Sequence, residues 1–107
     1  MPNNRQRGLD YIRRTLAELR ADGWTAERCE VWDSQTRKAR DLFGVADVAA
    51  WHPTAGFMLV QVTSRANMSA RRKKIRATQP GIEHAVHFEI WGWDKHKNRM
   101  RVKTEVL

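Results

Sequence analysis

A chain of 107 residues, 41% of them hydrophobic and 30% charged, suffices for one globular domain around one modest core. No apolar run approaches the ~18 residues of a membrane span, which excludes a helical membrane protein. Twenty Lys and Arg against twelve Asp and Glu give a net charge of +8 and a pI near 10.6, favouring a polyanionic partner, nucleic acid before a membrane surface.

The first eight residues, MPNNRQRG, are polar, lack the apolar core of a signal peptide, and are expected to be disordered. Leu9, Ile12, Leu16 and Leu19 then recur at the spacing of one helical face, and Asp22-Gly23 ends that helix. Glu18 invites a catalytic reading, but at 100° per residue it lies opposite the apolar stripe and reads as a solvated charge. Residues 25–33 form the first expected strand, with Cys29 and Val31 on one face and Glu30 and Trp32 on the other. As the lone cysteine, Cys29 excludes an internal disulfide, fits a reducing, cytoplasmic compartment, and reads as a small buried strand residue. Residues 34–40 read as a polar loop carrying Arg37, Lys38 and Arg40.

The organising stretch is DLFGVADVAAWHPTAGFMLVQVTS, residues 41–64. Its centre, His52-Pro53-Thr54-Ala55-Gly56, is a cluster of turn formers between two apolar, β-branched runs, 45–51 and 57–63. Both runs are apolar on both faces, as central strands covered on each side should be. Asp47 and Gln61 are polar exceptions in these strands, and a buried polar group is unfavourable without a partner. Asp47 is also disfavoured mid-strand by propensity.

Beyond Ser64, residues 68–77 read as a second helix capped by Ser64 or Asn67. Met68 and Ile75 hold it to the sheet, and five cations crowd the six residues from Arg71 to Arg76. A turn at Pro80-Gly81 leads to a strand at 84–94, with Val86, Phe88 and Ile90 on one face and His87, Glu89 and Trp91 on the other. A turn at 94–98 and a last strand at 100–106 complete an α/β order of α-β-β-β-α-β-β. His52, His84, His87 and His96 show neither HExxH nor zinc spacing. The tryptophans read as core and edge packing, with Trp91 or Trp93 as candidates for stacking on a base.

This order and these residues resemble the PD-(D/E)xK nuclease superfamily, which includes Holliday-junction resolvases, restriction enzymes and VRR-type phage nucleases. The likeness spans roughly residues 9 to 95 and rests on Gly44-Val45-Ala46-Asp47 and Gln61-Val62-Thr63. The segment is also similar to small phage and bacterial proteins through Arg40 to Gly44, Asp47, Gln61, Thr63, Ser64, Arg71 and Lys74. The resemblance implies one restriction-endonuclease-like domain with a central mixed sheet, and a protein working inside a bacterial host cell. It also implies Mg²⁺ or Mn²⁺ held by Asp47, Gln61, Asp41 and the Val62 carbonyl, with Asp47, Gln61, Thr63 and Lys74 as the catalytic group. Arg37, Lys38, Arg40, Arg65, Arg71, Arg72 and Lys74 are the expected contacts to duplex or branched DNA.

Two departures weigh on that reading. Gln61 stands where the superfamily has an acid, keeping an oxygen but losing a charge that a hard cation prefers. Thr63 stands in place of the lysine and cannot neutralise charge developing on phosphate, so a cation from the second helix, Lys74 or Arg71, is the expected substitute. The function expected is a resolvase-like metal-dependent endonuclease acting on DNA as a homodimer. The alternatives are an inactive relative that binds nucleic acid or a protein partner, and a small RNA-associated basic protein.

Overall fold

A computed structural model describes residues 4–107 of the chain. Helix α1 (Asn4–Ala21) is followed by short strands β1 (Thr25–Arg28), β2 (Glu30–Asp33) and β3 (Lys38–Asp41), then by β4 (Val48–His52) and β5 (Gly56–Ser64). A 3-10 turn (Arg65–Asn67) leads into α2 (Met68–Thr78) and the single turn α3 (Ile82–Ala85), and β6 (His87–His96) and β7 (Arg99–Val106) end the chain. Five strands make one mixed sheet in the order β1-β4-β5-β6-β7, in which only β5 and β6 run parallel. The fold is thus α/β, a central mixed sheet with helices on both faces.

The two-residue period of a strand divides the core. Even residues of β5 (Met58, Val60, Val62) join Val48, Ala50, Trp91 and Trp93 beneath α1, whose Leu19 is buried and whose Tyr11, Ile12 and Leu16 pack on the same cluster. Odd-numbered Leu59 joins Val45, Phe88 and Ile90 beneath α2, which docks through Met68 and Ile75 as its spacing predicts. β5 is buried on both faces from Met58 to Thr63, the property its unbroken apolar run anticipates. On the α1 side Trp93 donates its indole N–H to Thr15 Oγ1 at 2.8 Å, and that hydroxyl donates to the Tyr11 carbonyl at 2.8 Å. On the α2 side Gly92 lets the 3-10 turn approach the sheet: a Cβ there would overlap Met68 Sδ and lie 3.0 Å from Arg65 Cα.

Several elements differ from expectation. The strand foreseen at 25–33 breaks at Cys29: β1 pairs with β4, whereas β2 leaves the main sheet and pairs with β3. The polar loop foreseen at 34–40 is therefore half hairpin, a separate two-stranded ribbon spanning 30–41. Two adjacent chain segments cannot hydrogen-bond to the same edge, and periodicity does not reveal where a strand changes partner. Residues 82–85 form a helical turn, so the strand expected from 84 begins at His87. β6 and β7 extend until only Lys97 and Asn98 remain between them, both at positive φ, a two-residue turn matched to strand twist. Of the segment expected to be disordered, residues 1–3 lie outside the described residues, and the chain is helical from Asn4 onward.

Candidate functional site

The site is assembled by the tight return between the ribbon and β4. Phe43 and Gly44 both adopt positive φ, at 56° and 75°, and reverse the chain within two residues. Leu42 and Ala46 bond each other across this turn at 3.0 Å in both directions. The reversal brings Asp41, the last residue of β3, back beside Asp47. Asp47 itself stands one residue before β4, with its N–H bonded to the Val60 carbonyl at 2.8 Å and its carbonyl accepting from Cys29 N–H at 2.9 Å. Continuing the Val48↔Val60 register by one step sets Asp47 opposite Gln61, on the same face.

The two side chains meet. Gln61 Nε2 donates to Asp47 Oδ2 at 2.5 Å, and the Val62 N–H donates to the same oxygen at 2.8 Å. The Gln61 amide also approaches the Val62 carbonyl at 3.4 Å. Asp47 and Gln61 are both buried, as is Thr63 on the same face of β5. Burial pushes the Asp47 carboxyl up to about 7, and the adjoining Asp41 carboxyl adds to the rise through a shared hydrogen bond and its charge. The Val62 N–H and the Arg71 guanidinium pull the other way without overcoming it. Burial, then the charges of Asp47 and Asp41, raise the Cys29 thiol to about 11; it donates to the Ala46 carbonyl at 3.4 Å and is inert at neutral pH.

Beside this cluster lies an open cavity of about 310 Å³ lined by Val62, Thr63, Arg71, Asn67, Tyr11 and Arg7. Arg71 belongs to both features, one guanidinium facing the cavity and acting on Asp47. Arg7 falls in the segment expected to be disordered; the one signal for it was the lack of any breaker but Gly8 between Asn4 and the apolar stripe.

The other expected contacts scatter. Lys74 is exposed on α2, and the cation of that helix whose field reaches Asp47 is Arg71. Arg72 is ion-paired with Glu105 and donates to the Val106 carbonyl at 3.3 Å, so it ties α2 to β7. Arg65 is half-buried on the 3-10 turn. Arg37, Lys38 and Arg40 are exposed on the ribbon. Trp91 and Trp93 are buried and their indole N–H groups are bonded to Glu89 and Thr15, so neither is placed to stack on a base. Glu18 is exposed on the outer face of α1, as its angle predicts.

The donor set bears on a divalent cation in one specific way. The buried Asp47 carboxylate and the half-buried Asp41 carboxylate beside it repel each other when both are ionised, and a dication relieves that repulsion. Mg²⁺ is commonly held by one or two carboxylates, with water and phosphate completing the shell. Asp41 and Asp47 fit that modest requirement, although among the described residues no three His, Cys, Asp or Glu side chains converge into a full cage. No family model, no curated protein and no solved structure matches this chain.

Proposed function

We propose that this protein is a metal-dependent endonuclease with a restriction-endonuclease-like core, acting on DNA phosphodiesters from the cavity between α1 and α2. The reading is carried by the Asp41–Asp47 pair, a buried carboxyl held near neutrality beside a pocket lined by Arg7 and Arg71. Mg²⁺, when bound, would supply a polarised phosphate and a water of lowered pKa. Asp47 and Asp41 would hold it, with the Val62 carbonyl, and with Gln61 Oε1 once the amide turns by half a revolution. Arg71, which lines the cavity, would neutralise charge on the phosphate, the task left open by Thr63. Arg7 and Asn67 line the same cavity and would orient the backbone. A domain of this size offers little surface to span a duplex, so a homodimer completes the proposal.

A second reading is favoured by one observation: the Gln61 amide nitrogen sits between Asp47 Oδ2 and the Val62 carbonyl. Those are two of the oxygens a cation would need, and a partly positive N–H group already occupies the space between them. An inactive relative that binds nucleic acid through its basic surface would look like this.

Incubation with Mg²⁺ or Mn²⁺ and a panel of linear, nicked, flap and four-way DNA separates the two. Cleavage that disappears in Asp47→Ala supports the endonuclease. Tight binding without cleavage, indifferent to metal and to Asp47→Ala, supports the inactive binder. Preference for RNA with the same indifference would sink both in favour of an RNA-associated protein.

A further inference from the structure

Thr63 lines the cavity between α1 and α2 and is only 7% exposed, yet its hydroxyl has no hydrogen-bond partner among the described residues. A buried hydroxyl left without a partner is unfavourable. It is not sealed in, either: the enclosed side-chain polar atom that lacks a partner among the described residues is Glu83 Oε2, not Thr63 Oγ1. The Thr63 hydroxyl therefore opens onto the cavity. That cavity lies at the carboxyl end of β5, where Arg65–Asn67 lead into the crossover that joins β5 to its parallel neighbour β6. In α/β sheets this is where ligands bind, between the end of a strand and the start of a helix.

The surroundings of the hydroxyl are donors and cations. Ser64 and Asn67 line the same wall, and neither side chain caps the 3-10 turn or α2. The first turn of α2 contains no acidic residue. A helix start with neither cap nor carboxylate keeps its partial positive charge for a ligand. Arg71 lines the cavity from one turn into α2, in keeping with the lean of helical side chains toward the N-terminus, and Arg7 lines it from α1. Neither guanidinium is held in an ion pair among the described residues, and no Asp or Glu lines the cavity. Neutral donors on Thr63, Ser64 and Asn67 beside two guanidiniums suit a compact oxyanion of high charge. A phosphate inside a strand offers two free oxygens and one charge, whereas a phosphomonoester offers three oxygens and close to two charges. The number of donors matches the monoester, and about 310 Å³ is at the small end of ligand pockets.

We propose that this cavity is a phosphomonoester site, with Thr63, Ser64 and Asn67 donating to the phosphate oxygens and Arg71 and Arg7 balancing their charge. The site needs no metal ion. It rests on the nucleic-acid reading above in one respect, the source of the phosphate, which is the phosphorylated end of a DNA strand.

The test uses the full chain in EDTA and three probes: inorganic phosphate, a 20-mer DNA strand phosphorylated at its 5′ or its 3′ end, and the same strand without phosphate. Calorimetry should show inorganic phosphate binding, and the phosphorylated strand binding about tenfold more tightly than the bare one. Thr63→Val, which keeps the shape and removes the hydroxyl, should weaken both by about tenfold. Thr63→Ser should recover most of that loss, and unchanged circular dichroism certifies the fold. Arg71→Gln should weaken both at least as much, whereas Lys73→Gln, which removes the same charge from an exposed position on α2, should change little. Inorganic phosphate bound with no advantage for the phosphorylated strand supports the site and assigns it to small phosphate esters. No phosphate binding until Mg²⁺ is added, or equal losses in Arg71→Gln and Lys73→Gln, overturns it. The endonuclease reading fails separately. Metal-free phosphate binding without cleavage of any DNA in the panel removes that reading and supports this site, and cleavage without phosphate binding removes this site alone.

Discussion

Gln61 and Asp47 share one short hydrogen bond, Nε2 to Oδ2 at 2.5 Å, across the neighbouring strands that frame the candidate site. The bond explains how a carboxyl survives in the interior: its inner oxygen has two donors, the amide and the Val62 N–H. It also sets the balance between a proton, an amide and a metal ion at this position.

The first consequence concerns pH. Asp47 titrates near 7 in the folded chain and near 3.8 when unfolded, so the folded state holds the extra proton between those values. Stability from this group is fully present below the unfolded pKa and is lost as pH rises through the folded one. Urea unfolding should therefore show stability falling from about pH 4 to pH 7, with a slope of up to about 1.4 kcal/mol per pH unit, and levelling above. Asp47→Asn, neutral throughout, should flatten that slope. A slope unchanged in the variant would show that Asp47 is not the group responsible.

Replacing Gln61 by Glu adds a third negative oxygen donor beside Asp41 and Asp47. Without metal, Gln61→Glu should be less stable than the wild type above pH 7, because a second buried carboxylate beside Asp47 and the half-buried Asp41 adds to their mutual repulsion. With Mn²⁺, calorimetry should show affinity raised by about tenfold, since charge count is a main lever on affinity for hard cations. Weaker or equal Mn²⁺ binding in the variant would argue against a metal at this position.

Gly92 is required by space rather than by backbone conformation. A methyl group there would displace Met68 and the backbone at Arg65. Gly92→Ala should lower unfolding stability by about 1–3 kcal/mol, the usual effect of forcing volume into a packed core. Under the proposed function it should also weaken DNA binding, because the displaced turn leads into the helix that carries Arg71. A variant as stable as the wild type would mean that α2 shifts freely on the sheet.

Thr15 and Trp93 link α1 to the sheet through a buried hydrogen bond of 2.8 Å. Thr15→Val keeps the shape and removes the acceptor, leaving the indole N–H unpaired, so a loss of about 1–3 kcal/mol is expected in denaturant unfolding. Thr15→Ser, which retains the hydroxyl, should lose clearly less. Equal losses in the two would assign the effect to packing rather than to the bond.

Local pattern was enough to place the central hairpin, because the turn formers Pro53 and Gly56 lie between two short apolar runs rich in β-branched residues. The same is true of the two main helices, docked by Leu19 on one side and by Met68 and Ile75 on the other. The adjacency of Asp47 and Gln61 was legible only as something the family resemblance implied, and it is the observed β4–β5 register that sets them opposite each other. What the residues could not disclose is where the chain changes partners. Cys29 looks like the middle of a strand, yet there the chain leaves one edge and starts a separate ribbon, a choice made by competition for hydrogen-bonding partners far along the sequence. The same long-range assembly decided that Arg71 rather than Lys74 acts on Asp47, and that Arg7 lines the cavity. It also buried Trp93 and exposed Trp32. Side-chain type and period are properties of neighbours in the chain, whereas charge proximity and burial depend on which distant segments the fold sets side by side.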